Sequence, residues 1–173
     1  MTPVRRLGPG DEPALRAFLA ALPPEDRTFI KEDVDDPGTA GAWVAETGTL
    51  RGVAVAADAV VGLATVIPGV GWSSHVGDLR LVVHPAHRRG GLGSALARWA
   101  VVEATRIGLA KLIVEVVAEQ EAAVAMFEHL GFEPEALLRD HIRDRDGHLR
   151  DLLLLTLRFD GDWSGMATLG IGQ

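Results

Sequence analysis

The chain has 173 residues, 47% hydrophobic and 24% charged, the balance of one folded domain with its own core and not of a disordered segment. Seventeen Lys and Arg against 24 Asp and Glu leave a net charge of −7. That argues against sequence-independent binding to nucleic acid or to an anionic membrane, so an anionic ligand has to be held locally. The chain has no cysteine, which excludes disulfides, thiolate metal sites and cysteine nucleophiles.

Residues 1–11 carry Arg5 and Arg6 but no apolar signal-peptide core, and the longest apolar runs are of strand length; a cytoplasmic protein without a membrane partner is expected. Residues 4–7 read as a short strand. Gly10 and Asp11 then open a helix with Pro13 in its first turn, Leu15, Phe18, Leu19 and Leu22 on one face, and Pro23-Pro24 as its stop. Residues 25–33 read as a second short helix and 37–41 as punctuation. Two strands, 50–56 and 60–67, flank a tight turn at Ala57-Asp58-Ala59, and 68–74 form a loop.

Residues 76–84 alternate and then run apolar through Leu81, Val82 and Val83, as a central strand does, until Pro85 ends them. Residues 90–93 lead into a helix that reaches about Ile107, with Leu92, Leu96, Trp99 and Val102 on its inner face and Gly108 as its C-terminal cap. The strand at 111–117 is apolar after Lys111 except for Glu115. A helix over 120–130 turns Ala123, Val124, Phe127 and Leu130 inward and Glu121 and Glu128 outward, and Gly131 closes it. Strands at 135–143 and 149–159 form a last hairpin around Arg145-Asp146-Gly147. Residues 160–173, with four glycines and no period, read as a loosely docked or mobile tail beyond a domain of 1–159. The order β-α-α-β-β-β-α-β-α-β-β gives an α+β fold with a mixed sheet and a β-α-β crossover in its middle.

The segment richest in chemistry is His84-Pro85-Ala86-His87-Arg88-Arg89-Gly90-Gly91-Leu92-Gly93-Ser94, between a strand and the first turn of a helix. Its glycines let successive N–H groups converge, the helix start adds unpaired donors, and Arg88 and Arg89 add charge, so the segment is suited to an anion. It lacks the Gly-Lys-Ser/Thr of a Walker loop, and Leu96 stands where the dinucleotide fingerprint needs a third glycine.

Arg88-x-x-Gly91-x-Gly93 resembles the pyrophosphate loop of the GNAT superfamily, the GCN5-related N-acetyltransferases. The run from Gln120 to Phe132 is similar to that family's Asn-x-x-Ala-x-x-x-Tyr-Glu-x-Leu-Gly-Phe helix. The resemblance spans residues 4–159. It implies the GNAT fold, a mostly antiparallel sheet of six or seven strands with about four helices, and an acetyl-CoA co-substrate without a metal. Leu81, Val82 and Val83 would serve the pantetheine arm; Arg88, Arg89, Gly90, Gly91, Leu92, Gly93 and Ser94 the pyrophosphate; and Gln120 and Phe127 would also belong to the cofactor site.

The activity implied is acetyl transfer to a primary amine of a small molecule, peptide or protein, by direct attack in a ternary complex. A homodimer is the assembly the family suggests. Two departures matter: Gln120 replaces the family's asparagine, and Phe127 replaces the tyrosine that protonates the leaving thiolate, in a chain without tyrosine. Ser74, His129, water or the ammonium proton are the substitutes, and a weak or inactive acyl-CoA-binding module is the alternative function.

Glu115 is the first general-base candidate, as a lone charge in an apolar strand, and residues 115–120 are similar to the stretch carrying the basic glutamate of ribosomal-protein alanine acetyltransferases. Pairing with an arginine such as Arg139 is its structural alternative. Asp78 is the second candidate, against a solvated place at the strand entrance. His84-x-x-His87 reads as loop capping, and Asp140-His141 with Asp144 and Asp146 as a turn or an amine-facing group. Trp43 and Trp72 read as buried under the sheet or as pocket lining.

Overall fold

The computed structural model describes residues 2–27 and 30–159. The expected tail at 160–173 lies outside the described residues. Seven strands form one sheet: β1 (Val4–Arg6), β2 (Leu50–Ala56), β3 (Ala59–Pro68), β4 (Val76–Val83), β5 (Lys111–Val117), β6 (Glu133–Arg143) and β7 (Leu149–Arg158). Their spatial order is β1-β2-β3-β4-β5-β7-β6. All neighbours pair antiparallel except β4 with β5. That parallel pair requires a crossover, which α4 (Leu92–Arg106) supplies. The turn between β2 and β3 has both central residues at positive φ, Ala57 at 47° and Asp58 at 62°, the twist a two-residue hairpin demands.

Each face of the sheet carries a core. On one, α4 and α5 (Glu121–His129) cover a cluster centred on Leu79, Leu96, Leu112, Phe132 and Leu155. On the other, α1 (Glu12–Ala21) and α3 (Thr39–Ala45) cover Val53, Val60 and Leu63 with Leu15, Phe18, Leu19, Leu22 and Trp43. Helix α4 approaches the sheet so closely that a Cβ on Gly52 would stand 2.5 Å from the Trp99 ring. The buried stripe of α4 is Leu92, Leu96, Ala97, Ala100, Val101 and Ala104. Trp99 sits at its border and Val102 is half-buried, so the expected face is rotated towards the alanines, which permit that close approach.

The largest departure from the expected elements lies between residues 24 and 45. In place of a helix over 25–33 there is one turn, α2 (Pro24–Arg27), and from Ile30 the chain is irregular. Asp33 and Asp36 accept hydrogen bonds from the amides of Asp35 and Gly38, local bonds that compete with a helical backbone. Helix α3 occupies the stretch read as punctuation and beyond, stabilised by burial of Ala40 and Trp43. Trp72, by contrast, is 96% exposed, against the expected burial.

Behind Trp43 lies a buried cation. Arg51 is 5% exposed, stacks over the Trp43 ring at 4.9 Å and reaches Glu46 Oε2 at 2.7 Å through Nη1. Its Nε has no partner. Thr49 and then Arg51 hold the Glu46 carboxyl below the usual glutamate range. A depressed folded-state pKa stabilises the protein above the unfolded value and ceases to do so as pH falls through the folded one. Glu46→Gln is expected to cost ~1–2 kcal/mol at neutral pH, discounted for the exposed half of Glu46, and to lower Tm by about 3–6 °C. The difference should shrink as pH is lowered, which parallel melts at pH 7 and in acid measure.

Among the described residues no helix is long and apolar enough to cross a membrane.

Candidate functional site

The sheet opens in its middle. Strands β4 and β5 pair only from Val76↔Lys111 to Leu79↔Val114; beyond that β4 continues with β3 to Val83, and β5 continues with β7 to Val117. A cavity of about 420 Å³ occupies the gap. It is lined by Leu81 and Val82 from β4, Glu115 and Val117 from β5, and Gln120 and Phe127 at α5. The His84 N–H bonds Val61 O, which fixes the phase of the β3–β4 ladder. Alternation then turns the main-chain groups of Leu81 and Val83 into the gap and those of Val82 towards β3. Of Val82 and Val83, expected to offer backbone there, Val82 lines the cavity with its main chain turned to β3, and the Val83 carbonyl already accepts from Arg88 Nε at 3.1 Å.

At the wide end of the gap, the amides of residues 89–94 donate to no acceptor among the described residues, the nearest loop and helix bonds being Arg88 N–H to Pro85 O and Ala95 N–H to Gly91 O. Arg89 and Gly91 adopt left-handed conformations at φ 62° and 79°, and Gly90 and Gly91 border open space. A run of free donors at the start of a 15-residue helix is an arrangement suited to an anion. The seven loop residues expected to act together divide in the structure. Leu92 is in the core. Gly93 is where α5 approaches, since a Cβ there would lie 2.8 Å from Met126 Sδ. Arg88 bonds Asp26 on α2 at 2.6 Å. Arg89 is exposed and Ser94 half-buried in the first turn.

On the α1 side of the gap, charges converge. Glu115 lies one residue past the last β4–β5 pair, its side chain 31% exposed, and Lys31 Nζ meets its Oε2 at 2.5 Å. Its partner is thus a lysine from the irregular segment after α2, in place of the expected arginine. Asp78 is not a free solvated group: it holds Arg80 at 2.9 Å, and Arg80 in turn holds Glu32. Gln120 stands at the N-terminus of α5 with no side-chain cap bond. Phe127 is buried edge-on against Phe132, ring centroids 5.2 Å apart.

Sequence reasoning missed Lys31, and gave His141 no more than an amine-facing place. His141 reaches the cavity because β6 breaks register between Leu138 and Ile142, which pair with Leu152 and Arg150. Asp140 there takes φ 52° and its amide bonds Asp151 Oδ1 at 2.9 Å. Bulges of this kind re-aim side chains beside sites; the alternation of β6 gave no sign of it. Ser74 and His129, named as proton donors, do not line the cavity. The His84 Nδ1 caps the amide of Ala86 at 3.3 Å, as expected of that pair. Asp144, Asp146 and His148 bring potential ligand atoms within 4.8 Å of one another, but Asp144 is engaged by the amides of Asp146 and His148 and by Arg150 Nε, which closes the hairpin turn.

Residues 13–132 match the acetyltransferase (GNAT) family. A [ribosomal protein bS18]-alanine N-acetyltransferase of Escherichia coli (strain K12) is 35% identical over 77 residues, 44% of this chain and 51% of that protein; the match thus spans about half the length of this curated relative. A ribosomal-protein-alanine N-acetyltransferase from Brucella melitensis superposes with a TM-score of 0.74 at 24% identity, covering 90% of this chain and 98% of that one. YncA from Salmonella typhimurium, solved with its cofactor acetyl-CoA, superposes with a TM-score of 0.77 at 19% identity, covering 95% and 97%. At these identities the superpositions speak for the fold alone.

Proposed function

Because the chain belongs to the acetyltransferase (GNAT) family, we propose that it transfers an acetyl group from acetyl-CoA to a primary amine by direct attack in a ternary complex. The single observation that carries this reading is the gap between β4 and β5, which has free amides of residues 89–94 at one end and the Glu115 carboxylate within its cavity. The residues present fit the donor: six amides with no acceptor among the described residues suit a pyrophosphate, and the inward main chain of Leu81 with the Val83 N–H suits the amides of a pantetheine arm.

When bound, acetyl-CoA supplies an electrophilic thioester carbonyl. In this reading Arg89 and the 89–94 amides hold the pyrophosphate. Gln120, whose side chain makes no cap bond to the helix, offers an amide donor at the mouth of α5. Glu115 takes the proton from the acceptor ammonium, directly or through water, so that a neutral amine attacks. Phe127 has no atom with which to protonate the leaving sulfur, and His141 is the cavity-lining side chain we assign to that step. The relative named for alanine acetylation makes a protein N-terminal amine the first acceptor to try. The cytoplasm is the compartment this reading assumes.

One observation favours a second reading. Phe127 stands where the family's usual acid would be, so a protein that binds acetyl-CoA without transferring its acetyl group is the alternative. The test is thiol release from acetyl-CoA across a panel of peptides with N-terminal alanine, polyamines and free amino acids, alongside calorimetry of acetyl-CoA binding. Turnover on any of them is the expected result. Binding with no turnover on every amine favours the module, and absence of binding overturns both readings.

A further inference from the structure

We propose that Lys31 is a self-acetylation site: a primary amine of the chain itself, seated in the acceptor position and acetylated from acetyl-CoA when no other amine is present. The inference rests on the acetyltransferase reading above and deepens it.

Three observations carry it. First, Lys31 lines the same cavity as Leu81, Gln120 and Phe127, so its amine and the donor side of the gap open into one space. Second, Nζ stands 2.5 Å from Glu115 Oε2, and among the described residues this is the ion pair that engages that ammonium. The group proposed to deprotonate an acceptor is already in contact with an amine. Third, the adjacent residue is anchored: Glu32 pairs with Arg80, which pairs with Asp78. This ties the residue after Lys31 to β4 at the opening, so that the half-exposed Lys31 side chain starts beside Glu115. A reactive group held at its partner gains effective concentration over one that must diffuse there.

The step balances without a further reagent. Glu115 accepts a proton from the Lys31 ammonium; the neutral Nζ forms a bond to the acetyl carbon as the carbon–sulfur bond breaks. The sulfur leaves as thiolate and takes up the second proton, which the acylated nitrogen sheds as it becomes an amide, giving coenzyme A and Nε-acetyl-lysine, and Glu115 returns the first proton to solvent. The modified side chain has lost its charge and no longer pairs with Glu115, which becomes available to an external ammonium.

The chain offers an internal control, because its only other lysine is Lys111, paired with Glu135 at the opposite end of β5. Incubating the full chain with acetyl-CoA and no amine, then mapping peptides by mass spectrometry, is expected to find acetyl on Lys31 and little on Lys111. The initial rate per molecule should be independent of protein concentration, since the amine and the site share one chain. Glu115→Gln should slow labelling of Lys31 by at least about 30-fold, within the range of a lost general base, and leave slow background labelling of Lys111 unchanged. Equal labelling of both lysines, or a Lys31 rate indifferent to Glu115→Gln, overturns the proposal by assigning the reaction to uncatalysed chemistry. Rapid turnover of an external amine with Lys31 left unmodified overturns it while sparing the acetyltransferase reading. Donor binding with neither event overturns the proposal and the transferase reading together.

Discussion

Glu115→Gln is expected to lower kcat on an external amine by about 100-fold or more, the range seen when a positioned general base is removed, while the affinity for acetyl-CoA changes little. The substitution keeps the size and shape of the side chain, and the site is on the exposed side of β5 with Lys31 as partner, so loss of fold does not compete as an explanation; thermal melts of both proteins check this. What Gln cannot do is accept a proton from an ammonium. Asp78→Asn is the comparison that gives the first result meaning. Asp78 is committed to Arg80, which is committed to Glu32, so its removal loosens the segment across the opening and should act on KM for the amine, with kcat reduced less than about tenfold. Steady-state kinetics on one acceptor with both variants decides the order. Equal loss of kcat in both would make the carboxylates a joint base, and an unaffected Glu115→Gln enzyme would remove Glu115 from the chemistry.

The reason Glu115 was legible and Lys31 was not is physical. A charge inside an apolar strand contradicts its surroundings, and a single sequence exposes that contradiction. Lys31 stands in a run of acidic residues, Glu32, Asp33, Asp35 and Asp36, where a lone cation contradicts nothing. Its position depends on where an irregular segment crosses the sheet, and Arg80 on a distant strand decides that. The same holds for His141. The strand was readable, but the bulge that aims its side chain arises from the pairing of Asp140 with Asp151 across the hairpin, a relation invisible along one strand. Of the helices, α4 and α5 announced themselves by period and by Gly108 and Gly131, whose φ values of 78° and 90° are those of C-terminal glycines. Helix α3 has seven residues and a glycine in its midst, too short for the preference of its three alanines to hold it alone. It exists because Trp43 and Ala40 are buried against α1 and the sheet, a tertiary cause overriding a weak propensity.

The glycine loop allows a test that leaves the catalytic groups alone. Gly91→Val is expected to weaken acetyl-CoA binding by at least about 100-fold, the equivalent of two lost charge-assisted hydrogen bonds of ~1.5 kcal/mol each. Two effects act together. Gly91 holds φ at 79°, which a β-branched residue adopts only with strain of ~1–3 kcal/mol, and relieving that strain would turn the 89–94 amides off their common target. The new methyl groups would also occupy the open space beside those amides, where a diphosphate has to approach. Gly90→Val separates the two effects. Gly90 carries no positive φ and a Cβ there meets nothing within 4 Å, so its stability should equal that of the parent protein. If Gly90→Val melts normally and still loses affinity in calorimetry, bulk against the ligand is responsible. If only Gly91→Val loses affinity, the backbone conformation carries the binding. Unchanged affinity in both variants would mean that the amides of this loop do not hold the donor.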